Sequence, residues 1–429
     1  MRWECERIHA QQRACLSFAR WRLLEEVLVT RVALKDELLD AQLLRAVGAS
    51  LYGGADVGEC LSAARRVRGT ELDSWFSEWT VAARRVEALA ERASDAGQVE
   101  TSRLAYLRAS TYFRTAGVML MGVPLDSRLV EAYARQTDMF RRAAALMVPA
   151  AEIVEIPFEE TTLPGYFFAV DDSGRARATV VLTGGYDGTA EELYFANGAA
   201  ALARGYNVLA FDGPGQGAAL IERGLVMRAD WENVITPVLD YALARPDVDA
   251  SRVALIGLSL GAHLAPRAAS AEHRLAACIA DCGAYDLYGA FLERLPGALA
   301  RPFASGRPWA RNAVAKLLQL LAGKPTAGWA VRRGLLVHGV DEPLDFVDAL
   351  RDFTLAERAP DITCPTWVCD AEGDDISASA PQLVDAMTCE TTYVHFTGAE
   401  GADDHCEQGA RALYHARSFA WLDELLRHN

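Results

Sequence analysis

The chain reads as an α/β protein. A mostly parallel sheet of eight strands is expected, preceded by helical residues 1–148 and interrupted by a helical insertion at about 285–360. Three observations predict this. From Ala151 onward, short apolar runs alternate with helical stretches, the pattern of a parallel sheet covered on both faces. Before Ala151, apolar residues recur at helical spacing with no convincing strand. Finally, Gly257-Leu258-Ser259-Leu260-Gly261 joins the apolar run Arg252-Val253-Ala254-Leu255-Ile256 to an Ala-rich stretch, so a serine sits at the apex of a strand–turn–helix join.

Residues 1–148 are rich in Ala, Leu, Arg and Glu, and 18–47, 71–93, 99–121 and 127–147 read as amphipathic helices. Gly53-Gly54 and Gly122-Val123-Pro124 break them, and Pro124 with Asp126 and Ser127 starts the last. We take 1–148 as a cap-forming helical domain and 151–429 as the sheet domain. Strands are expected at 152–158, 165–170, 178–182, 207–211, 252–256, 276–280, 366–369 and 392–396, the first two antiparallel. Helices are expected at 191–204, 231–244, 260–270, 380–386 and 407–426. The interval 285–360 breaks the alternation and carries Pro296, Pro302, Trp309, Pro325 and Trp329. It reads as a lid over the site, with peripheral helical decoration as the plainer alternative.

With 429 residues, 51% hydrophobic and 24% charged, the chain can bury a large core. A formal net charge of −15 argues against nucleic acid and anionic membrane, since both attract a basic face. No apolar run reaches the roughly 18 residues that suggest a membrane-spanning helix. The charged start Met1-Arg2-Trp3-Glu4 lacks the apolar core of a secretory signal. Nine cysteines without a CxxC pair or a zinc-like cluster fit reduced thiols in the cytoplasm. Cys364, Cys369 and Cys389 read as small core residues.

The turn at Ser259 has the form of a nucleophile elbow. Tight backbone on either side needs glycine and lifts the hydroxyl to where a base can reach it. A Gly-rich turn with an incidental serine is the plainer alternative. Serine needs a base and a carboxylate to orient it, in the chain order Ser, acid, His for this fold. His263 lies one turn past Ser259 on the same helix, His273 ends that helix, His338 belongs to the insertion and His395 lies within the last strand. His405 follows that strand in a loop before the final helix, so it is the expected general base. His415 and His428 read as surface residues.

For the acid, strand 366–369 leads into Asp370-Ala371-Glu372-Gly373-Asp374-Asp375. Asp374 is favoured, with Asp375 close behind, Glu372 less favoured, and Asp281 or Asp286 as rivals after the preceding strand. An oxyanion hole would combine the Leu260 N–H with one from Thr183-Gly184-Gly185-Tyr186-Asp187-Gly188, from Gly185 or Tyr186. In Asp212-Gly213-Pro214-Gly215-Gln216-Gly217, Pro214 breaks any dinucleotide fingerprint and no phosphate-binding lysine follows, so the run reads as a rigid turn at the site entrance. Neither a cofactor nor a metal is expected.

Residues 182–192, 212–217, 257–261, Cys364-Pro365-Thr366 through Asp374, and Ala399-Glu400-Gly401 through His405-Cys406 together resemble a hydrolase family. Its members are fungal polyketide-shortening (yellowish-green pigment) hydrolases, fusarin-type biosynthetic hydrolases and the bacterial 2,6-dihydroxypseudooxynicotine hydrolase. The resemblance spans roughly Ala151 to the C-terminus. It implies an α/β-hydrolase fold, a site roofed by the N-terminal helices and the insertion, a homodimer, and Ser259, Asp374 and His405 as the triad. It also implies cleavage of a C–C bond in a 1,3-dicarbonyl or acyl-aromatic compound, or of an ester-type bond. Gly373 departs from an expected Asn, which leaves Asp374 and Asp375 open, and Glu293 is the nearest match to an acid implicated in the insertion.

The expected partner is a small carbonyl compound. Tyr285, Tyr288, Phe291, Trp309 and Trp329 suggest a large apolar or aromatic one, although core packing explains such residues equally well. Two alternatives stand beside hydrolysis. One is acyl transfer or cyclisation with the same triad, and the other is a non-catalytic binding module.

Overall fold

A computed structural model describes residues 32–427. The N-terminal portion contains helices Glu37–Gly48, Val57–Ala64, Leu72–Asp95, Val99–Val118 and Ser127–Ala145. The second of these has no counterpart in the sequence reading. It is only eight residues long and too short to show a helical period. The start of the expected 18–47 helix lies outside the described residues. Asp36, Asp56 and Asp126 cap three of these helices by accepting N–H groups of their first turns.

Eight strands form one sheet: β1 (Glu152–Phe158), β2 (Thr161–Phe168), β3 (Arg177–Thr183), β4 (Asn207–Phe211), β5 (Val248–Leu258), β6 (Ala277–Asp281), β7 (Thr366–Ala371) and β8 (Thr391–Phe396). Their order is β1-β2-β4-β3-β5-β6-β7-β8. Pairing is antiparallel for β1–β2 and β2–β4 and parallel elsewhere. β4, β6 and β7 are buried along their whole length, as strands covered on both faces must be. β1, at an edge, buries only Val154, Ile156 and Phe158. β2 begins four residues earlier than expected and runs through Pro164-Gly165. That dipeptide is no breaker here. Glu155 pairs with Pro164 on the β1 side, and a Cβ on Gly165 would sit 2.5 Å from the Ala210 oxygen of β4.

The single helix expected at 191–204 is interrupted. Tyr194–Gly198 widens into a π-helical turn between Ala190–Leu193 and Ala199–Leu202. The Ala196 carbonyl at this turn accepts from Arg411 Nη2 at 3.0 Å and faces His415 Nε2 at 2.6 Å. His415 is therefore buried, not a surface residue, and its other ring nitrogen lies 3.1 Å from the Tyr52 hydroxyl. Burial, with Arg411 nearby, lowers its pKa to about 3. The partners that bury it are hundreds of residues away in sequence, so helical spacing gave no sign of them. His428 lies outside the described residues.

The insertion holds helices Leu287–Arg294, Gly297–Ala304, Pro308–Ala322, Trp329–His338 and Pro343–Ala349. They share an apolar cluster of their own, including Phe291, Phe303, Val314, Leu318, Val331 and Phe346. Trp329 Nε1 donates to the Val118 oxygen at 2.9 Å, and Thr326 Oγ1 donates to Asp36 at 2.8 Å, tying the insertion to the N-terminal helices. No helix among the described residues is long and apolar enough to cross a membrane.

Arg411 opens the final helix, Arg411–Arg427, and is almost fully buried. Its Nη1 bonds Asp281 Oδ2 at 2.7 Å, at the end of β6, and lies 3.5 Å from Glu407 Oε2. Burial and the charge of Asp281 push the Glu407 pKa well above its ordinary value, beside the Asp281–Arg411 pair. Removing a buried cation strands its carboxylate. Arg411→Met is expected to destabilise the fold by about 3–5 kcal/mol, read as a lower urea midpoint.

Candidate active site

β5 carries Gly257 and Leu258 to the carboxyl edge of the sheet, and helix Gly261–Ala269 departs almost at once. Ser259 at the join has φ of 60°, the left-handed region that non-glycine residues rarely occupy. The flanking glycines are dictated by backbone. A Cβ on Gly257 would lie 1.8 Å from the Gly261 oxygen, and one on Gly261 would lie 2.5 Å from the Thr183 oxygen.

His405 follows β8 and reaches this serine. Its Nε2 is 2.9 Å from Ser259 Oγ, and its Nδ1 is 2.8 Å from Asp374 Oδ2. Asp374 follows β7, its side chain is fully buried, and its Oδ1 accepts the Ile376 N–H at 2.9 Å. Burial opposes ionisation of Asp374, but His405 and these hydrogen bonds outweigh it and bring its pKa down to about 2. Burial likewise opposes charge on His405, but Asp374 and Cys406 raise its pKa well above 6.5.

The other candidates are engaged elsewhere. Asp375 is exposed, Glu372 accepts the Gly398 N–H, Asp281 holds Arg411, and Asp286 caps the first helix of the insertion. His263 is buried with Nδ1 at 3.0 Å from the Ala284 oxygen, His273 is exposed, and His395 pairs with Asp370 at 2.8 Å.

The loop after β3 presses on the serine from the other side. A Cβ on Gly185 would sit 2.9 Å from Ser259 Cβ and 3.1 Å from the Leu260 nitrogen. The N–H groups of Tyr186 and Leu260 meet no acceptor among the described residues. Gln216 Nε2 donates to the Gly184 oxygen at 2.6 Å, and Gln216 Oε1 accepts the Gly213 N–H at 3.1 Å. Residues 212–217 are thus buried and brace this loop, where an entrance turn was expected. Asp212 accepts from Ala190, Ala218 and the Tyr133 hydroxyl, and burial next to Glu191 raises its pKa to about 8.

The sequence profile described as the alpha/beta hydrolase family matches residues 179–416, more than half the chain. The chain belongs to this family. The hydrolase acrC of Aspergillus aculeatus is 33% identical, with 89% of this chain and 95% of the relative covered. A 20-hydroxy-prefusarin hydrolase of Gibberella moniliformis is also 33% identical, over 90% of this chain and 96% of its own. A crystal structure of 2,6-dihydroxy-pseudo-oxynicotine hydrolase superposes with a TM-score of 0.69 at 22% identity, covering 89% of this chain and 95% of that one, a likeness of fold. The family resemblance carried by the loop motifs is borne out.

Ser259 of this hydrolase opens on two cavities. One, of about 890 Å³, lies under the insertion and is walled by Leu287, Ala290, Phe291, Phe346 and Leu350. The other, of about 640 Å³, faces helix Glu37–Gly48 and is walled by Gln42, Arg45, His405 and Gln408. Of the aromatics singled out in sequence, Phe291 lines the first cavity, Trp329 is buried beside it and Trp309 is 54% exposed. Glu293 is exposed and lines neither cavity, because its turn of helix points away from Phe291.

Several neighbours of the site carry no sequence signal, since they meet only through the fold. Cys406 Sγ is 3.5 Å from His405 Nε2, and the Cys406 N–H donates to Cys282 Sγ at 2.8 Å. Burial opposes ionisation of Cys406, but Cys282 and His405 lower its pKa. One atom each of Cys282, His405 and Cys406 lie within 4.8 Å of one another, a donor set able to hold a soft cation. Asp187, next to Tyr186, takes Arg45 Nη1 at 2.7 Å and Arg114 Nη2 at 3.2 Å. Burial disfavours its charge, yet Arg45, Arg333 and Arg114 together hold its carboxyl well below the usual range. Tyr186 also binds the insertion, its hydroxyl 2.8 Å from His338 Nε2. Burial lowers the His338 pKa to about 4, so the ring is neutral there.

Because the Gly261 backbone lies in the space a methyl on Gly257 would need, no side-chain shift relieves it. Gly257→Ala is expected to cost about 3 kcal/mol of stability, measured by urea denaturation with an unchanged slope.

Proposed function

We propose that this α/β-hydrolase is a serine hydrolase acting through an acyl-enzyme. Its substrate is a bulky polyketide-like or aromatic metabolite, cleaved at a C–C bond of a 1,3-dicarbonyl or acyl-aromatic group or at an ester-type bond. The observation that carries this is the unbroken line from Asp374 through His405 to Ser259, ending at an apolar cavity. His405 takes the Ser259 proton as Oγ attacks the carbonyl carbon. The N–H groups of Leu260 and of Tyr186 or Gly185 receive the oxyanion. As the tetrahedral intermediate collapses, the bond to the leaving group breaks, and His405 delivers the proton to an enolate carbon or an alkoxide oxygen. Water, activated by His405, then releases the acid. Since His405 faces the more polar cavity, the leaving group and the water belong there, and the acyl half belongs under the insertion, which acts as the lid.

The free thiols of the described cysteines fit a reducing, cytoplasmic setting. The family resemblance extends the proposal to a homodimer, to be read by light scattering. The names of the relatives place their own reactions in hydrolysis, 20-hydroxy-prefusarin being one substrate so named, which favours hydrolysis here over acyl transfer.

Ser259→Ala is expected to abolish fluorophosphonate labelling and to cut ester hydrolysis by at least ~10³-fold with the fold intact by circular dichroism. Retained turnover would overturn the proposal. The pH profile tests the base. Only neutral imidazole accepts the serine proton, so kcat/KM should rise with pH through the raised His405 pKa. Asp374→Asn removes a main cause of that rise. Its inflection should move to lower pH while the rate falls by roughly 10⁴-fold.

A further inference from the structure

Arg333 lies on helix Trp329–His338 and walls the cavity beneath the insertion together with Ser259. Its side chain is only 13% exposed. Guanidinium stays charged in any protein setting and presents five N–H donors. None of the five makes a hydrogen bond among the described residues. Nε is fully buried without a partner, and the facing carboxylate oxygen, Asp187 Oδ1, stands 3.6 Å from Nη1, beyond hydrogen-bond reach. Arg333 adds to the positive charge that holds Asp187 ionised, but only Arg45 and Arg114 bind that carboxylate through direct hydrogen bonds. Arg45 and Arg114 share Glu192 as well, so three guanidiniums face two carboxylates and one positive charge is in excess. The Arg333 guanidinium carbon is 4.1 Å from the Trp329 ring centre and 5.3 Å from that of Tyr186. Aromatic faces thus position the cation without using its donors. The described cavity walls carry no carboxylate; the remaining charged wall residue is Arg294.

A buried cation with open donors is costly unless a ligand completes it. We propose that the acyl half of the substrate is an apolar body bearing an anionic oxygen, as in a carboxylate or an ionised enol, and that Arg333 receives that oxygen. The assignment of this half to the cavity rests on Ser259 being the nucleophile. Arg333 is a specificity-determining residue in this role and takes no part in bond cleavage.

Calorimetric titration at low salt separates this from a purely structural role. The ligands are 6-phenylhexanoate and its neutral counterpart 6-phenylhexan-1-ol, neither of which can be hydrolysed. The unaltered protein should bind the acid at least tenfold more tightly than the alcohol. Arg333→Gln should erase that preference and leave the alcohol affinity within about twofold, while Arg333→Lys keeps part of it. Equal binding of the two ligands, no measurable binding of the acid, or an equal loss of both in Arg333→Gln would overturn the proposal. Ser259→Ala should keep the preference. Loss of turnover in Ser259→Ala and loss of the preference in Arg333→Gln therefore fail or hold independently.

Discussion

At the carboxyl edge of the sheet, three stretches of backbone meet with no room between them. The Gly261 oxygen, the Thr183 oxygen and the Gly185 backbone all crowd the turn at Ser259. The left-handed φ of Ser259 is held by this contact, and the contact brings the loop after β3 against the serine hydroxyl. Two open N–H groups and the hydroxyl proposed as nucleophile are thereby gathered without any side chain having to move. The proposed chemistry depends on this crowding, because donors aimed in advance need no reorganisation when charge develops.

The surroundings keep that geometry from relaxing. Gln216 braces the β3 loop, Arg411 locks the end of β6 to the last helix, and the residue after His405 bonds to Cys282 just beyond β6. The N-terminal helices contribute Arg45 and Arg114, whose charges, with that of Arg333 from the insertion, hold Asp187 ionised beside Tyr186. These helices therefore do more than cover the sheet. Together with the insertion, they set the charge of the loop that faces the serine.

Much of the sheet was legible because strands buried on both faces are continuous apolar runs, and because turn glycines mark their ends. The placement of Ser259 and His405 was legible from their position after strands β5 and β8. Asp374 could not be separated from Asp375 by sequence, since adjacent loop carboxylates differ only in which one the fold buries. The cation–carboxylate groups were illegible for the same reason. Arg45 and Asp187 are far apart in sequence, as are Arg411 and Asp281, and no local period records such a pairing. His415 misled because a histidine on a terminal helix looks solvated until its partners Ala196 and Tyr52 are known. The π-helical turn escaped because the side chains that bind its Ala196 carbonyl, Arg411 and His415, lie at the other end of the chain.

The insertion's apolar cluster is separate from the core beneath the sheet. Its helices stabilise one another, and they meet the rest of the molecule through Trp329 and Val337, which join the main core, through a few polar ties and through the wall of one cavity. Phe291, Phe346 and Leu350 of that wall belong to this cluster and not to the core around the strands that lead to Ser259, Asp374 and His405. The shape of the cavity and the stability of the scaffold thus rest on largely different residues.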